Sequence, residues 1–129
     1  MVNKVIGNQY ESIFVNVLRN KGFWCHLFAY NKNGQPCDIV AIKNNTPYLI
    51  DVKHCEEEVF NFNKIQPNQY TCFEYASLCG ATNTGFAIWF TCRNKWLWLP
   101  YSLVKQLKAS GEKSVNNELL EELISDDDI

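Results

Sequence analysis

Two aspartates and a lysine stand in apolar surroundings near the middle of the chain. Asp38 opens the apolar run at 39–42, and Asp51 and Lys53 follow the run at 48–50. Acidic side chains are rare in such runs unless they are paired or bind a metal. Two close carboxylates repel each other and raise each other's pKa unless a divalent cation neutralises them. We interpret this segment as a candidate metal-binding hairpin.

The two runs have the composition of short strands, and Asn-Asn-Thr-Pro at 44–47 predicts the turn between them. If residues 42 and 47 close the turn, the numbers of paired residues sum to 89. If residues 43 and 48 close it, they sum to 91. Because side chains alternate along a strand, either register places Asp38 on the same face as Asp51 and Lys53. The opposite face is apolar (Ile39, Ala41, Ile50, Val52). This hairpin is therefore predicted to be central, with both faces covered.

These residue types suit Mg²⁺, which prefers oxygen ligands and keeps several waters, and Mn²⁺ could substitute. The carbonyl of Val52 could be a further ligand. A metal in such a site can activate water and stabilise charge on a scissile phosphate. Lys53 could orient the water or neutralise the developing charge. The structural alternative is an Asp51–Lys53 pair at a sheet margin, with Asp38 capping a turn.

A helix is predicted over residues 8–21, and Gly22 is a natural stop. Its apolar residues follow the spacing of an amphipathic face (Tyr10, Ile13, Phe14, Val17, Leu18). Glu11 lies beside this face, near the edge of whatever the helix covers. Alternatively, Glu11 belongs to a capping box with Asn8 as N-cap.

A second helix is predicted from Pro67 to about Cys79, ending at Gly80. Spacing places five residues on its inward face (Gln69, Cys72, Phe73, Ala76, Cys79). Gln69 is unusual there, and the plain alternative is a core glutamine bonded to backbone.

The rest of the chain predicts strands at 23–30, 84–92 and 95–99, in the coarse order αβββαββα. Residues 54–64 are expected to form a polar, irregular loop, and Pro100 to open a helix that ends at Ser110. Trp96 and Trp98 share a strand face, where they could stack bases or, more simply, pack under a helix. The last predicted helix begins at Asn117 and has an apolar stripe that needs a partner (Leu119, Leu120, Leu123, Ile124).

The composition of the 129 residues, 47% hydrophobic and 14% aromatic, argues against disorder. We expect a main domain at 1–112 and an acidic C-terminal helix and tail at 113–129. Since no apolar run approaches the ~20 residues of a membrane span and no signal peptide is evident, we expect no membrane association and a cytoplasmic protein. The six scattered cysteines suggest buried free thiols, although their even number permits disulfides.

The net charge of −2 is unevenly distributed. Residues 118–129 hold six acids and no base, so residues 1–117 carry 12 bases and 8 acids, a net charge of +4. That excess permits phosphate binding without demanding it.

The spacing Asp38-(12 residues)-Asp51-Val52-Lys53 resembles the signature of the PD-(D/E)xK, or restriction-endonuclease-like, nuclease superfamily. Gly7 followed four residues later by Glu11 resembles the first helix of archaeal-type Holliday junction resolvases. The segment 62–69 resembles the corresponding segment in resolvases of Gram-positive bacteria and their phages. In those proteins a glutamine follows the motif lysine, as Gln69 follows Lys53 here. The loop before Asp38 differs from that of many archaeal-type resolvases. In those proteins a serine precedes the glycine, whereas here Asn33 precedes Gly34.

The resemblance implies an α/β (α+β) fold with an αβββαβ core, whose central mixed sheet is flanked by helices. It implies catalytic roles for five residues (Glu11, Asp38, Asp51, Lys53, Gln69) and metal binding by four (Glu11, Asp38, Asp51, Val52). The implied protein is a Mg²⁺-dependent homodimeric endodeoxyribonuclease acting on branched DNA, with a phage or mobile element as its expected source. Two alternatives are a nuclease of the same fold for linear, nicked or single-stranded DNA, and a catalytically silent DNA- or protein-binding module.

Overall fold

The computed structural model describes residues 2–28, 35 and 37–123, with side chains described from Gln9 to Glu122 within those ranges. The helices are α1 (Val2–Asn20), α2 (Pro67–Leu78), α3 (Tyr101–Ala109) and α4 (Asn117–Leu123). The strands are β1 (Trp24–Leu27), β2 (Ile39–Lys43), β3 (Thr46–Cys55), β4 (Val59–Asn61), β5 (Thr84–Phe90), β6 (Lys95–Pro100) and β7 (Ser114–Asn116). A short 3₁₀ helix, Phe62–Lys64, follows β4.

The central sheet has five strands in the order β1-β2-β3-β5-β6. The pairing of β3 with β5 is parallel, and the other neighbours are antiparallel. Strands β4 and β7 form a separate antiparallel pair. The crossover from β3 to β5 contains α2, as a parallel connection requires. The predicted mixed sheet flanked by helices is thus present.

Helix α1 covers one face of the sheet. Its residues Phe14, Val15 and Leu18 are buried against the apolar side chains of β2 and β3, including Ile39 and Ile50. The helix ends at Gly22, where φ is +89°. The Phe23 N–H donates to the Leu18 carbonyl at 3.1 Å, and the Gly22 N–H donates to Arg19 at 3.1 Å. These two bonds form a Schellman motif, for which glycine is the favoured residue.

Helices α2 and α3 cover the opposite face over β5 and β6. Phe73 of α2 and Val104 of α3 are fully buried there with Phe86 of β5. Val115 of β7 and Leu120 of α4 belong to the same core. Residues 114–123 are therefore packed onto the body of the protein. Glu121 also pairs with Arg93 and Lys95, at 2.5 Å in each case.

The register of the β2–β3 hairpin agrees with one of the two predicted registers, since Ile39 pairs with Ile50. The predicted turn length is wrong. Lys43 pairs with Thr46, so the turn contains only Asn44 and Asn45, with φ values of +53° and +65°. Both central residues of a type I′ turn need positive φ, and asparagine tolerates it better than most residues.

Three further predictions are corrected. Helix α1 begins at Val2, so Asn8 lies inside it and cannot be the N-cap of a capping box with Glu11. The predicted loop after His54 contains β4, and its Phe60 is fully buried. Cys79, assigned to the inward face of α2, is exposed because the helix ends at Leu78.

The two tryptophans, the apolar stripe of α4 and the cysteines differ in how far they are buried. Trp98 is buried and Trp96 half-buried, and both pack against the face that α1 covers. In the predicted stripe of α4, Leu120 is buried while Leu119 is 43% exposed. Ile124 lies outside the described residues. The described cysteines are free thiols, of which three are buried (Cys25, Cys37, Cys55), one is half-buried (Cys72) and two are exposed (Cys79, Cys92).

Among the described helices, none is both long and apolar enough to cross a lipid bilayer.

The close approach of β5 to the end of β6 gives a test of the packing. A Cβ added at Gly85 would lie 2.4 Å from the Leu99 carbonyl oxygen and 3.0 Å from Pro100 Cα. Because both contacts are backbone, Gly85→Ala is expected to lower the free energy of unfolding by about 1–3 kcal/mol. Urea denaturation measures the change. Ser102→Ala, at an exposed position of α3, serves as the control. An unchanged midpoint for Gly85→Ala would contradict the packing.

Candidate active site

Asp38 and Asp51 meet where β2 begins and β3 passes through the middle of the sheet. Their exposed fractions are only 6% and 2%. The Asp38 carboxylate accepts a hydrogen bond from the Val52 backbone N–H at 2.7 Å and one from Gln35 Nε2 at 3.1 Å. The Asp38 N–H donates to the Ile50 carbonyl at 3.1 Å. Asp38 is therefore held by both its backbone and its side chain.

Lys53 lies beside Asp51 on the same face of β3, as the alternation predicts. Lys53 Nζ is 3.2 Å from Asp51 Oδ2, and the two side chains are 16% and 3% exposed. Lys53 Nζ also donates a hydrogen bond to Gln69 Oε1 at 3.0 Å. The lysine is thus placed between a buried carboxylate and the first turn of α2.

Gln69 makes both of the contacts considered for it, one with the backbone and one with the site. Its Oε1 accepts the bond from Lys53 and a second bond from the Gln66 backbone N–H, at 2.9 Å. The second bond belongs to a capping box at the start of α2. One amide oxygen therefore ties the N-terminus of the helix to the lysine.

Glu11 approaches the acids from α1, on the other side of the sheet. Burial, the neighbouring charge of Asp38 and a hydrogen bond with Asp38 raise the pKa of Glu11 from 4.5 to about 8, although Lys53 lowers it. The capping-box alternative is excluded, because the helix begins nine residues earlier. The structure therefore brings Glu11 to Asp38, as predicted.

Burial raises the pKa of Asp51 well above its ordinary value, Lys53 opposes the increase, and Asp38 adds to it. Among the described residues, Asp51 Oδ2 is a buried oxygen that accepts no directed hydrogen bond. Its described partner is the Lys53 ammonium at 3.2 Å, which offsets its charge only in part. An acceptor left in this state is what a bound cation would satisfy.

The donor set fits a hard divalent cation. The candidate ligands are the oxygens of Asp38, Asp51 and Glu11 and the carbonyl of Val52. Because N–H and C=O of a strand residue point to the same side, the Val52 carbonyl lies on the side of Asp38. In the described part of the chain, no group of three His, Cys, Asp or Glu side chains converges on one point. Mg²⁺ needs only one or two carboxylates when waters complete its shell, so these residues fit it.

Some features beside the site are not evident from sequence alternation. Tyr10 and His54 stack at 4.5 Å with an interplanar angle of 13°. Tyr10 precedes Glu11 and His54 follows Lys53, so this stack joins α1 to β3 next to two site residues. The buried Cys37 thiol has a pKa raised to about 12 by burial, then by Cys72 and Asp51. Only the tertiary structure brings these partners together, since each pair is distant in sequence.

The fold has a counterpart among solved structures. The chain superposes on the 1.6 Å structure of Archaeoglobus fulgidus Hjc, a Holliday junction resolvase from an archaeal hyperthermophile, with a TM-score of 0.67. The match covers 88% of this chain and 91% of that chain at 22% sequence identity. The predicted fold, a central mixed sheet flanked by helices, is thereby confirmed as one that this solved resolvase structure also has. No protein-family model and no curated protein matches the sequence.

The raised pKa of Glu11 predicts how stability changes with pH in the absence of metal. Between 4.5 and about 8 the folded protein holds a proton that the unfolded chain releases. Stability therefore falls as pH rises through this window. In EDTA, the melting temperature is expected to fall between pH 5.5 and 8.5, and Glu11→Gln should weaken this dependence.

Two further measurements sharpen this prediction. Mg²⁺ requires ionised carboxylates, so its stabilisation of the wild type should be larger at pH 8.5 than at pH 5.5. Gln9→Ala, at an exposed uncharged position of the same helix, is the control and should keep the wild-type profile. A melting temperature in EDTA that is as pH-dependent in Glu11→Gln as in the wild type would refute the assignment.

Proposed function

We propose that this protein is a Mg²⁺-dependent endodeoxyribonuclease that hydrolyses phosphodiester bonds in branched DNA, in the manner of a Holliday junction resolvase. The observation that carries the proposal is the buried Asp38–Asp51 pair with Lys53 at 3.2 Å. This arrangement occurs on a fold shared with a resolvase. A pair of buried acids beside a lysine is costly to keep unless the site is used.

In this proposal Asp38, Asp51 and the Val52 carbonyl bind the cation, and Glu11, which contacts Asp38, binds the cation or positions Asp38 for it. When bound, the cation lowers the pKa of a water and offsets charge on the phosphate. Asp38 needs little reorganisation to act as a ligand, because the Val52 N–H already fixes its carboxylate. The other oxygen, Asp38 Oδ1, accepts one bond from Gln35 Nε2 and keeps a lone pair that can bind the cation.

Lys53 and Gln69 serve the phosphate in this scheme. Lys53 is held by Asp51 at 3.2 Å and by Gln69 at 3.0 Å, so its ammonium is fixed before substrate arrives. A fixed positive charge can stabilise the charge that builds on a phosphate during in-line attack by water. Gln69 is a positioning residue here, since its oxygen contacts the lysine. The products would be a 5′-phosphate and a 3′-hydroxyl.

Two properties of the chain are consistent with a DNA substrate. Residues 1–117 carry a net charge of +4, which favours association with a polyanion. A resolvase cuts two strands, so we also propose a homodimer with two such sites. The apolar stripe of α4 contributes Leu119, which is 43% exposed, as a candidate for contact between copies.

Cleavage of a panel of DNA structures tests the proposal. With Mg²⁺ or Mn²⁺, the wild type is expected to cut a four-way junction at least tenfold faster than linear duplex of the same sequence. Asp51→Asn removes a ligand and should lower the rate by about a hundredfold or more while leaving DNA binding intact. Thermal unfolding confirms that the variant is folded.

The outcomes separate the candidate functions. Equal rates on junction and linear duplex would contradict the preference for branched DNA and favour a nuclease for linear, nicked or single-stranded DNA. Binding without any metal-dependent cleavage would favour a catalytically silent module.

Lys53→Met gives an independent test of the charge arrangement. The substitution leaves Asp51 buried without its ion-pair partner, so the unfolding free energy in EDTA should fall by about 1–3 kcal/mol. In the double variant Lys53→Met/Asp51→Asn this loss should largely disappear, because no unpaired charge remains. Urea denaturation of the four proteins measures the coupling, and additive losses would argue against the pair.

A further inference from the structure

The part of the sheet face formed by β1 and β2, next to the site, is open to solvent. Trp24 pairs with Ile42, and His26 pairs with Val40, so these four side chains share one face. Val40 pairs in turn with Leu49 of β3, whose face also carries Asp51 and Lys53. The open surface and the acids therefore lie on the same side of the sheet.

Three rings follow one another on this face, which we call the aromatic strip (Trp24, His26, Phe28); Trp24 and His26 are exposed, and Phe28 is half-buried against the core. Trp24 is 60% exposed, His26 is also exposed, and the neighbouring Ile42 is 41% exposed. The rings of His26 and Phe28 meet edge to face at 5.3 Å. Helix α1 covers the other face of these strands, so it does not shield the strip.

The aromatic strip leads to the acids. The Phe28 backbone N–H donates to the Asp38 carbonyl at 2.9 Å, which continues the β1–β2 ladder beyond its last paired residues. Residues two apart on a strand are about 7 Å from each other, so Trp24 lies roughly 14 Å from Phe28. The strip consequently runs along the edge strand β1 and ends beside the first acid of the site.

We propose that the aromatic strip binds the bases of unpaired or unstacked nucleotides flanking the phosphodiester bond to be cut. This proposal rests on the proposed nuclease function and names the feature that its substrate must carry. Aromatic rings stack on any base, so the contact would be independent of sequence. Bases in a continuous duplex are stacked on each other and do not offer their faces.

The size of the strip favours a nucleic acid strand over a second copy of the chain. An aromatic side chain buries at most about 150–250 Å², so three rings supply roughly 600 Å² even if fully exposed. A stable interface needs about 800 Å² from each partner. A strand whose phosphate lies at Asp38 and Asp51, by contrast, would place its next nucleotides directly over the strip.

Binding measurements without cleavage test the proposal. All proteins carry Asp51→Asn, and their affinities are measured by fluorescence anisotropy for gapped duplex, single strand, four-way junction and continuous duplex. Trp24→Ala is expected to weaken binding to gapped and single-stranded DNA by about tenfold. Binding to continuous duplex should change less than twofold. Trp24→Phe should retain most of the affinity, because a ring remains.

Two controls isolate stacking from general loss of binding. Tyr75→Ala removes a ring that is 70% exposed on α2, away from the strip, and should leave all four affinities unchanged. The slope of log affinity against log salt should be the same with and without Trp24, since stacking releases no counterions.

Equal affinities of Trp24→Ala and its parent for all four DNAs would overturn the proposal. A second outcome would also overturn it: Trp24→Ala loses affinity equally for every DNA and changes from dimer to monomer in sedimentation. The strip would then be a contact between copies of the chain. Failure of the nuclease function has a different signature. In that case the wild type cuts nothing, and the selective binding loss of Trp24→Ala still supports the strip as a base-binding surface.

Discussion

The register between β2 and β3 is the constraint on which the site depends. Pairing of Ile39 with Ile50 sets Asp38 against Asp51, and alternation then places Lys53 on their side. A slip of one residue would send Asp38 to the face that α1 covers and bring apolar side chains to the site. Two independent features hold the register: the two-asparagine turn and the burial of Ile39 and Ile50 against α1.

The protein tolerates buried charge at this point because partners are close, although they are incomplete. Asp38 has a backbone N–H, and Asp51 has the ammonium of Lys53. The pKa values of Asp51 and Glu11 are nevertheless raised, because burial and mutual repulsion outweigh these contacts. Structures commonly retain such unfavourable electrostatics only where a ligand or a reaction relieves it.

Local sequence patterns predicted the parts of this fold that depend on periodicity. Alternation placed the two acids and the lysine together, and helical spacing placed Phe14 and Leu18 in the core. Gly22 and Pro67 marked helix boundaries correctly because their backbone preferences are intrinsic.

Features that depend on distant partners could not be obtained in this way. The three-residue strand β4 exists because β7 pairs with it more than fifty residues later. The turn at Asn44 was predicted too long, since Pro47 looked like part of a turn but is accepted inside β3. The dual contact of Gln69 was also hidden, because its two donors come from a strand and a helix cap.

That shared amide oxygen has an evolutionary consequence. Lys53 and the backbone N–H at the start of α2 both donate to Gln69 Oε1. Among the described residues, a substitution at Gln69 therefore changes both contacts at once. Selection on the stability of α2 and selection on the position of Lys53 therefore act on the same atom. Gln69 would therefore be expected to vary less across descendants of this chain than the exposed residues of α2.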